Sequence, residues 1–195
     1  RQDELLMITT KTGKKNKGLG IEYNGGLQWS TILRLPEFQN EFGMGWNGDH
    51  TELENGSWGP RFDGSMQLWG NKYENSQKLK PYSPIKNNIK DFFDAGFRYN
   101  NSVSFNGATD KSEYYVSFSQ ISDDGMIPTD ADSYDKYTFS ARGSHKVKAL
   151  TFSSSLNYSY QKNKFATTGQ GLTMLNSLYQ TPRDVSIISL QDQND

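Results

Sequence analysis

The chain of 195 residues contains no cysteine, so neither a disulfide nor a thiolate metal site is open to it. His50 and His145 are its only imidazoles, too few for an ordinary zinc site. Long apolar runs are also missing. None approaches the about 18 residues of a membrane-spanning helix. That excludes spanning helices but not spanning strands, whose hydrophobicity is hidden in alternation. A basic excess is missing too: 21 Lys and Arg meet 22 Asp and Glu, leaving a formal charge of -1 and no electrostatic footprint for nucleic acid. No Gly-x-Ser-x-Gly is present, and neither histidine has a nucleophile beside it in sequence. Gly18-Leu19-Gly20 lacks the third glycine of a dinucleotide fingerprint. We therefore expect no enzyme, no catalytic residue and no cofactor.

Apolar residues of all kinds are scarce, at 33%, yet aromatics reach 13%, with 11 Tyr and 11 Phe. These rings recur at every second position. In 97–106 the odd positions hold Phe97, Tyr99, Val103 and Phe105, while the even ones hold Arg98, Asn100, Ser102, Ser104 and Asn106. Successive strand side chains point to opposite faces, so this limb has one apolar and one wet face. A short polar turn with Gly107 and Asp110 follows, and Tyr114, Val116 and Phe118 resume the alternation, which predicts an antiparallel hairpin. Leu19, Ile21, Tyr23, Leu27 and Trp29 form an earlier strand of the same kind. Tyr137, Phe139 and Ala141 begin a later one. Leu150, Phe152, Leu156, Tyr158 and Tyr160 make another, after the basic turn His145-Lys146-Val147-Lys148-Ala149. Residues 5–10 read as a short strand, 172–179 as a helix, and 185–190 as a closing apolar segment of strand character. Leu35 to Gly43 predicts a short helix: Pro36 in the first turn, Glu37 early, Phe38 and Phe42 four apart, Gly43 at the end. Residues 88–96 predict one more helical turn, and 44–89 show no lasting periodicity.

The connections alternate, long then tight, as the extracellular loops and periplasmic turns of outer-membrane barrels do. Aromatics gather at the strand ends: Trp29, Phe97, Tyr99, Tyr137, Tyr158 and Tyr160 toward the long connections, and Phe105, Tyr114 and Phe152 toward the tight turns. Such placement fits the two interfacial girdles of a barrel wall, with the Ser, Asn, Thr and Gln side facing a wet lumen. The competing reading is a soluble β-sandwich, such as a carbohydrate-binding module, which accounts for the alternation alone.

Several runs resemble the SusC-like TonB-dependent outer-membrane transporters, the RagA/SusC family. Leu6-Met7-Ile8-Thr9-Thr10-Lys11-Thr12-Gly13 is similar to the end of that family's plug. Leu35 to Gly43 and Ser57-Trp58-Gly59-Pro60-Arg61-Phe62-Asp63-Gly64 resemble its first long loop. Pro81-Tyr82-Ser83-Pro84, Lys90-Asp91-Phe92-Phe93 with Gly96, and Asp124-Gly125-Met126-Ile127-Pro128 follow in the family's order. The resemblance implies a large plugged barrel of about 22 strands. It divides the chain into the end of a plug, 1–13, and the N-terminal part of a barrel, 14–195, with an extracellular loop over 31–96. It further implies TonB-dependent import of an oligosaccharide or peptide across a Bacteroidetes-type outer membrane. The implied partners are a SusD-like surface lipoprotein, the TonB-ExbB-ExbD complex, the rest of the barrel and plug, and lipid. The chain is then expected to be a piece of something longer, because five or six strands alone leave two open sheet edges.

Candidate substrate contacts are Trp46, Trp58 and Trp69, whose faces suit sugar rings, and Arg98 on the wet face. The blander use of the tryptophans is to brace the long loop against the barrel rim or plug, and that of Arg98 and Arg142 is to pair with acids of the plug. Asp123, Asp124, Asp130 and Asp132 form a weak calcium candidate, since their spacing is not that of an EF-hand and no Glu closes it.

Overall fold

A computed structural model describes residues 20–188, apart from 52, 54, 74, 168 and 170. The expected plug end and the strand over 5–10 lie outside the described residues. Among the described residues two compact units are present, one built on 20–30, 96–125 and 130–164, the other on 31–95, 126–129 and 165–188.

The first unit is the predicted all-β part. Its strands are β1 (Gly20–Ser30), β4 (Gly96–Ala108), β5 (Ser112–Asp123), β6 (Tyr134–Val147) and β7 (Leu150–Asn163), with β2 (Met66–Tyr73) and β3 (Ser76–Pro81) lying elsewhere. They pair antiparallel in the order β1-β4-β5-β6-β7. Among the described residues the sheet is open, with β1 and β7 as its edges, and no closed barrel is formed. Strands of 11 to 14 residues run without a register shift, because the alternation extends along each of them, interrupted only at positions such as Gly25, Asn101, Gln120 and Ser154, and a one-residue slip would turn every ring to the wrong face. The hairpin turns are short: Thr109 to Lys111 between β4 and β5, and Lys148-Ala149 between β6 and β7.

The second unit holds a small core of Ile89, Leu178 and Ile187, against which Leu35, Phe38, Phe92, Phe93, Met174 and Leu175 pack. The expected helix at the end of the chain is α1 (Met174–Gln180), with Thr173 capping it by accepting from the backbone N–H of Asn176. The helical turn expected over 88–96 is a 3-10 turn at Lys90–Phe92. Two expectations need correction. Residues 35–43 are not helical. The Gln39 side chain explains this: its Oε1 accepts from the N–H groups of Glu41 and Phe42, and its Nε2 donates to the carbonyls of Phe42 and Ser57. Those bonds replace the helical ladder and send Phe38 toward Tyr179 and Phe42 toward Trp58, each 5.8 Å away, instead of onto one face. Nor is 185–188 a strand: Val185 and Ile187 are buried in irregular backbone. The hairpin β2–β3 is an addition to the reading. Leu68 opposite Leu79 marks it, but a register irregularity between Trp69 and Tyr73 breaks its alternation.

Candidate functional site

Register assigns the faces of the five-stranded sheet. Partners across an antiparallel pair share a face. One row reads Tyr23, Val103, Phe118, Phe139, Tyr158; the next reads Ile21, Phe105, Val116, Ala141, Leu156. All nine girdle candidates lie on this same face: Trp29, Phe97, Tyr99, Phe105, Tyr114, Tyr137, Phe152, Tyr158 and Tyr160. The opposite face carries rows such as Asn24, Ser102, Ser119, Thr138, Ser159. Within this unit the sheet is a single layer, and the apolar side chains are bare: Tyr23 is 66% exposed, Trp29 67%, Leu156 59% and Tyr158 61%.

The apolar band is oblique to the hydrogen-bonded rows. Its limit toward the long connections is Trp29 on β1, in the row of Phe97. On β7 the limit is Tyr160, whose row passes through Tyr137, Gln120 and Asn101 to Gly25, four residues short of Trp29. The row between them is apolar at Leu27 and Tyr99, then polar at Ser122, Asp135 and Lys162. At the other border, Phe105 is the last ring of β4, yet past its row-mate Leu156 the strand β7 continues to Phe152 and Leu150. Between β1 and β7 the band thus shifts by four residues over four strand steps, an average of one residue per strand. With a rise of about 3.3 Å and a strand spacing of about 4.8 Å, a level band needs strands tilted by about 35°.

Polar groups inside the band are matched to tyrosine hydroxyls. Tyr23 donates to Oδ1 of Asn101 at 2.6 Å. Gln120 Nε2 donates to Tyr99 at 3.2 Å and to Tyr137 at 3.5 Å. Tyr114 lies over Gly107 across the strand pair, where any larger side chain would collide with its ring. Rings with one wet end suit the border between an apolar and an aqueous layer.

On the wet face, Arg98 stands opposite Asp123, with a 4.0 Å ion pair between them. Its acid is supplied by the sheet itself. The Asp132 carboxylate lies against Gly125, yet the four loop aspartates form no ligand cluster. Asp123 accepts from the N–H of Gly125, Asp124 accepts from that of Phe97 at 2.6 Å, and among the described residues no three acidic or histidine side chains are grouped for a metal.

Trp46 and Trp58 share one backbone knot in the second unit. Gly45 donates to Gly56, Trp58 donates to Gly45, and Gly48 donates to Trp58, each at 2.9 Å. Trp46 is 43% and Trp58 54% exposed, so both rings offer surface, and Trp58 also packs on Phe42. Trp69 lies in β2, and its side chain is outside the described residues.

The residues that organise this unit are Arg183 and Asp184, which the sequence reading passed over. Arg183, 5% exposed, donates to the Gln39 carbonyl at 3.0 Å, Asn40 Oδ1 at 2.8 Å and the Ile85 carbonyl at 3.5 Å, and covers the Phe38 ring. Asp184, 2% exposed, accepts from the N–H of Met44, and its backbone carbonyl accepts from Lys80 Nζ. Burial lowers the Lys80 pKa, and the Asp184 carboxylate opposes that shift. Thr181-Pro182 directly after a helix was the only local signal, a stop that places the next two side chains.

Tyr82, 3% exposed, donates to the Pro60 carbonyl at 2.8 Å. Burial first, and the Asp184 carboxylate second, raise its phenol above the ordinary value near 10. The folded pKa exceeds the unfolded one, so the contribution of Tyr82 is complete below the ordinary value and is lost as pH rises through the raised one. Titration of phenolate absorbance is expected to lose a late step in Tyr82→Phe. A curve whose late part is unchanged in that variant would refute the shift.

The chain matches no family model, and no curated protein is significantly similar to it.

Proposed function

We propose that the five-stranded sheet is part of the wall of an outer-membrane β-barrel, and that the protein imports a nutrient, an oligosaccharide or peptide, in a TonB-dependent manner. The slope of the apolar band is the observation that carries the first half. Barrel strands tilt by about 35–45°, and a level hydrocarbon layer must then cross their register at the angle found here. A sandwich core imposes no such drift, and it would also need a second layer over Tyr23, Leu156 and Tyr158. In hydrocarbon every backbone group must be paired, so the edges β1 and β7 call for further strands of the same barrel. The second half rests on the motif order from Leu6 to Pro128, which resembles the SusC-like transporters. A SusD-like lipoprotein and the TonB-ExbB-ExbD complex are the partners this entails.

Accessibility tests the wall. In outer-membrane vesicles, Asn157→Cys is expected to react with a water-soluble maleimide, while Leu156→Cys is expected to resist it and take a bilayer-confined probe instead. Equal labelling of the two by the water-soluble reagent would end the wall reading. Transport is tested separately: uptake is expected to stop when the proton gradient is dissipated or TonB removed, and uptake that persists would mark a passive pore.

A further inference from the structure

The β6–β7 turn combines two observations. The first is charge beside exposed apolar side chains. Val147 (46% exposed), Leu150 (64%) and Phe152 (62%) continue the apolar face to the end of the hairpin, where Lys148 in the turn adjoins them, while Lys146, opposite Thr151, lies on the other face. The neighbouring turn adds Lys111, whose carbonyl accepts from the N–H of Lys146 at 2.7 Å. Across the two turns and the strand residues beside them, Lys111, Lys146 and Lys148 outnumber Asp110 and Glu113. The second observation is backbone strain. Lys148 has φ 55, the left-handed region that glycine or asparagine occupies at least cost. A lysine there costs the turn stability, and an outlier of that kind points to a role for the side chain.

We infer that the β6–β7 turn is a docking point for anionic phospholipid headgroups in the leaflet on the short-turn side, with Lys148 as its principal cation. The inference rests on the wall reading. The apolar residues enter the acyl layer, which brings the ammonium groups level with the headgroup phosphates. There each lysine is attracted by about 1 kcal/mol, roughly fivefold in local preference.

The test uses the whole protein in nanodiscs, with its one reactive cysteine introduced as Ala149→Cys and carrying a fluorophore. Quenching is compared between headgroup-spin-labelled phosphatidylglycerol and phosphatidylcholine. Phosphatidylglycerol is expected to quench several-fold more strongly, and Lys148→Asn, which suits the turn, to reduce the ratio about fivefold. Lys148→Arg is expected to keep it. Equal quenching by both lipids would overturn the headgroup inference and leave the wall intact. Absence of quenching by either lipid would overturn the wall reading and the inference together. A ratio unchanged by Lys148→Asn would show that the lysine serves only the turn, and would also overturn the inference.

Discussion

Leu156→Arg is expected to destabilise the bilayer-folded protein by about 2–4 kcal/mol, the cost of a cation on the lipid face at mid-depth, whereas Asn157→Arg is expected to change it by less than about 1 kcal/mol. The two positions are adjacent, on opposite faces of β7, and similarly solvated in an isolated sheet. Only what each face touches separates them. Leu156 sits near the middle of the apolar run from Leu150 to Tyr160, so a cation there has the longest path to either interface. Leu150→Arg, at the border of the band, is expected to cost about 0–1 kcal/mol, because a side chain near the interface reaches water. Refolding from urea into vesicles gives all three values. Equal costs at 156 and 157 would remove the distinction between the faces, and a cost at 150 equal to that at 156 would remove the level band.

Loss of the buried guanidinium is expected to be the largest change in the second unit. Arg183→Met keeps the stem and the contact with Phe38 but takes the donors from the Gln39 and Ile85 carbonyls and from Asn40 Oδ1. Unmet buried acceptors cost about 1–3 kcal/mol each, so a local loss of about 3 kcal/mol is expected. Hydrogen exchange reads it directly: protection across 38–42 and 84–88 is expected to fall about a hundredfold. Arg61→Met is the control. The ion pair of Arg61 with Glu41 is 2.9 Å long but leaves both side chains mostly in water, 71% and 63% exposed, and its removal is expected to matter by less than about 1 kcal/mol. Similar exchange in the two variants would show that the loops are not held by Arg183.

This contrast also bears on the candidate substrate residues. Trp46 and Trp58 are exposed rings on a backbone knot that closes through glycine hydrogen bonds, and they also pack on it, Trp46 against Gly56 and Trp58 against Phe42. Arg98 already has an acid across the strand pair, which makes it part of the wall's own charge pattern as much as a contact for cargo.

What the sequence alone determined was the sheet. Period-two patterning is a local property, repeated over 11 to 14 residues in each long strand, and it assigned the strands, their partners in the hairpins and the common face of nine aromatic residues. The helix expected over 172–179 likewise stands, as α1. What only the tertiary structure decided was the order within irregular backbone and the slope across strands. Residues 35–43 carry helix signals, but the amide of Gln39 and the distant Arg183 offer their polar groups better partners than a ladder would. The β2–β3 hairpin hides behind its register irregularity. The drift of the apolar band exists only once the strands are aligned, since it compares residues as far apart in sequence as Trp29 and Tyr160. Alternation is set by the nearest neighbours in the chain, whereas slope and buried hydrogen bonds are set by neighbours the chain must fold to meet.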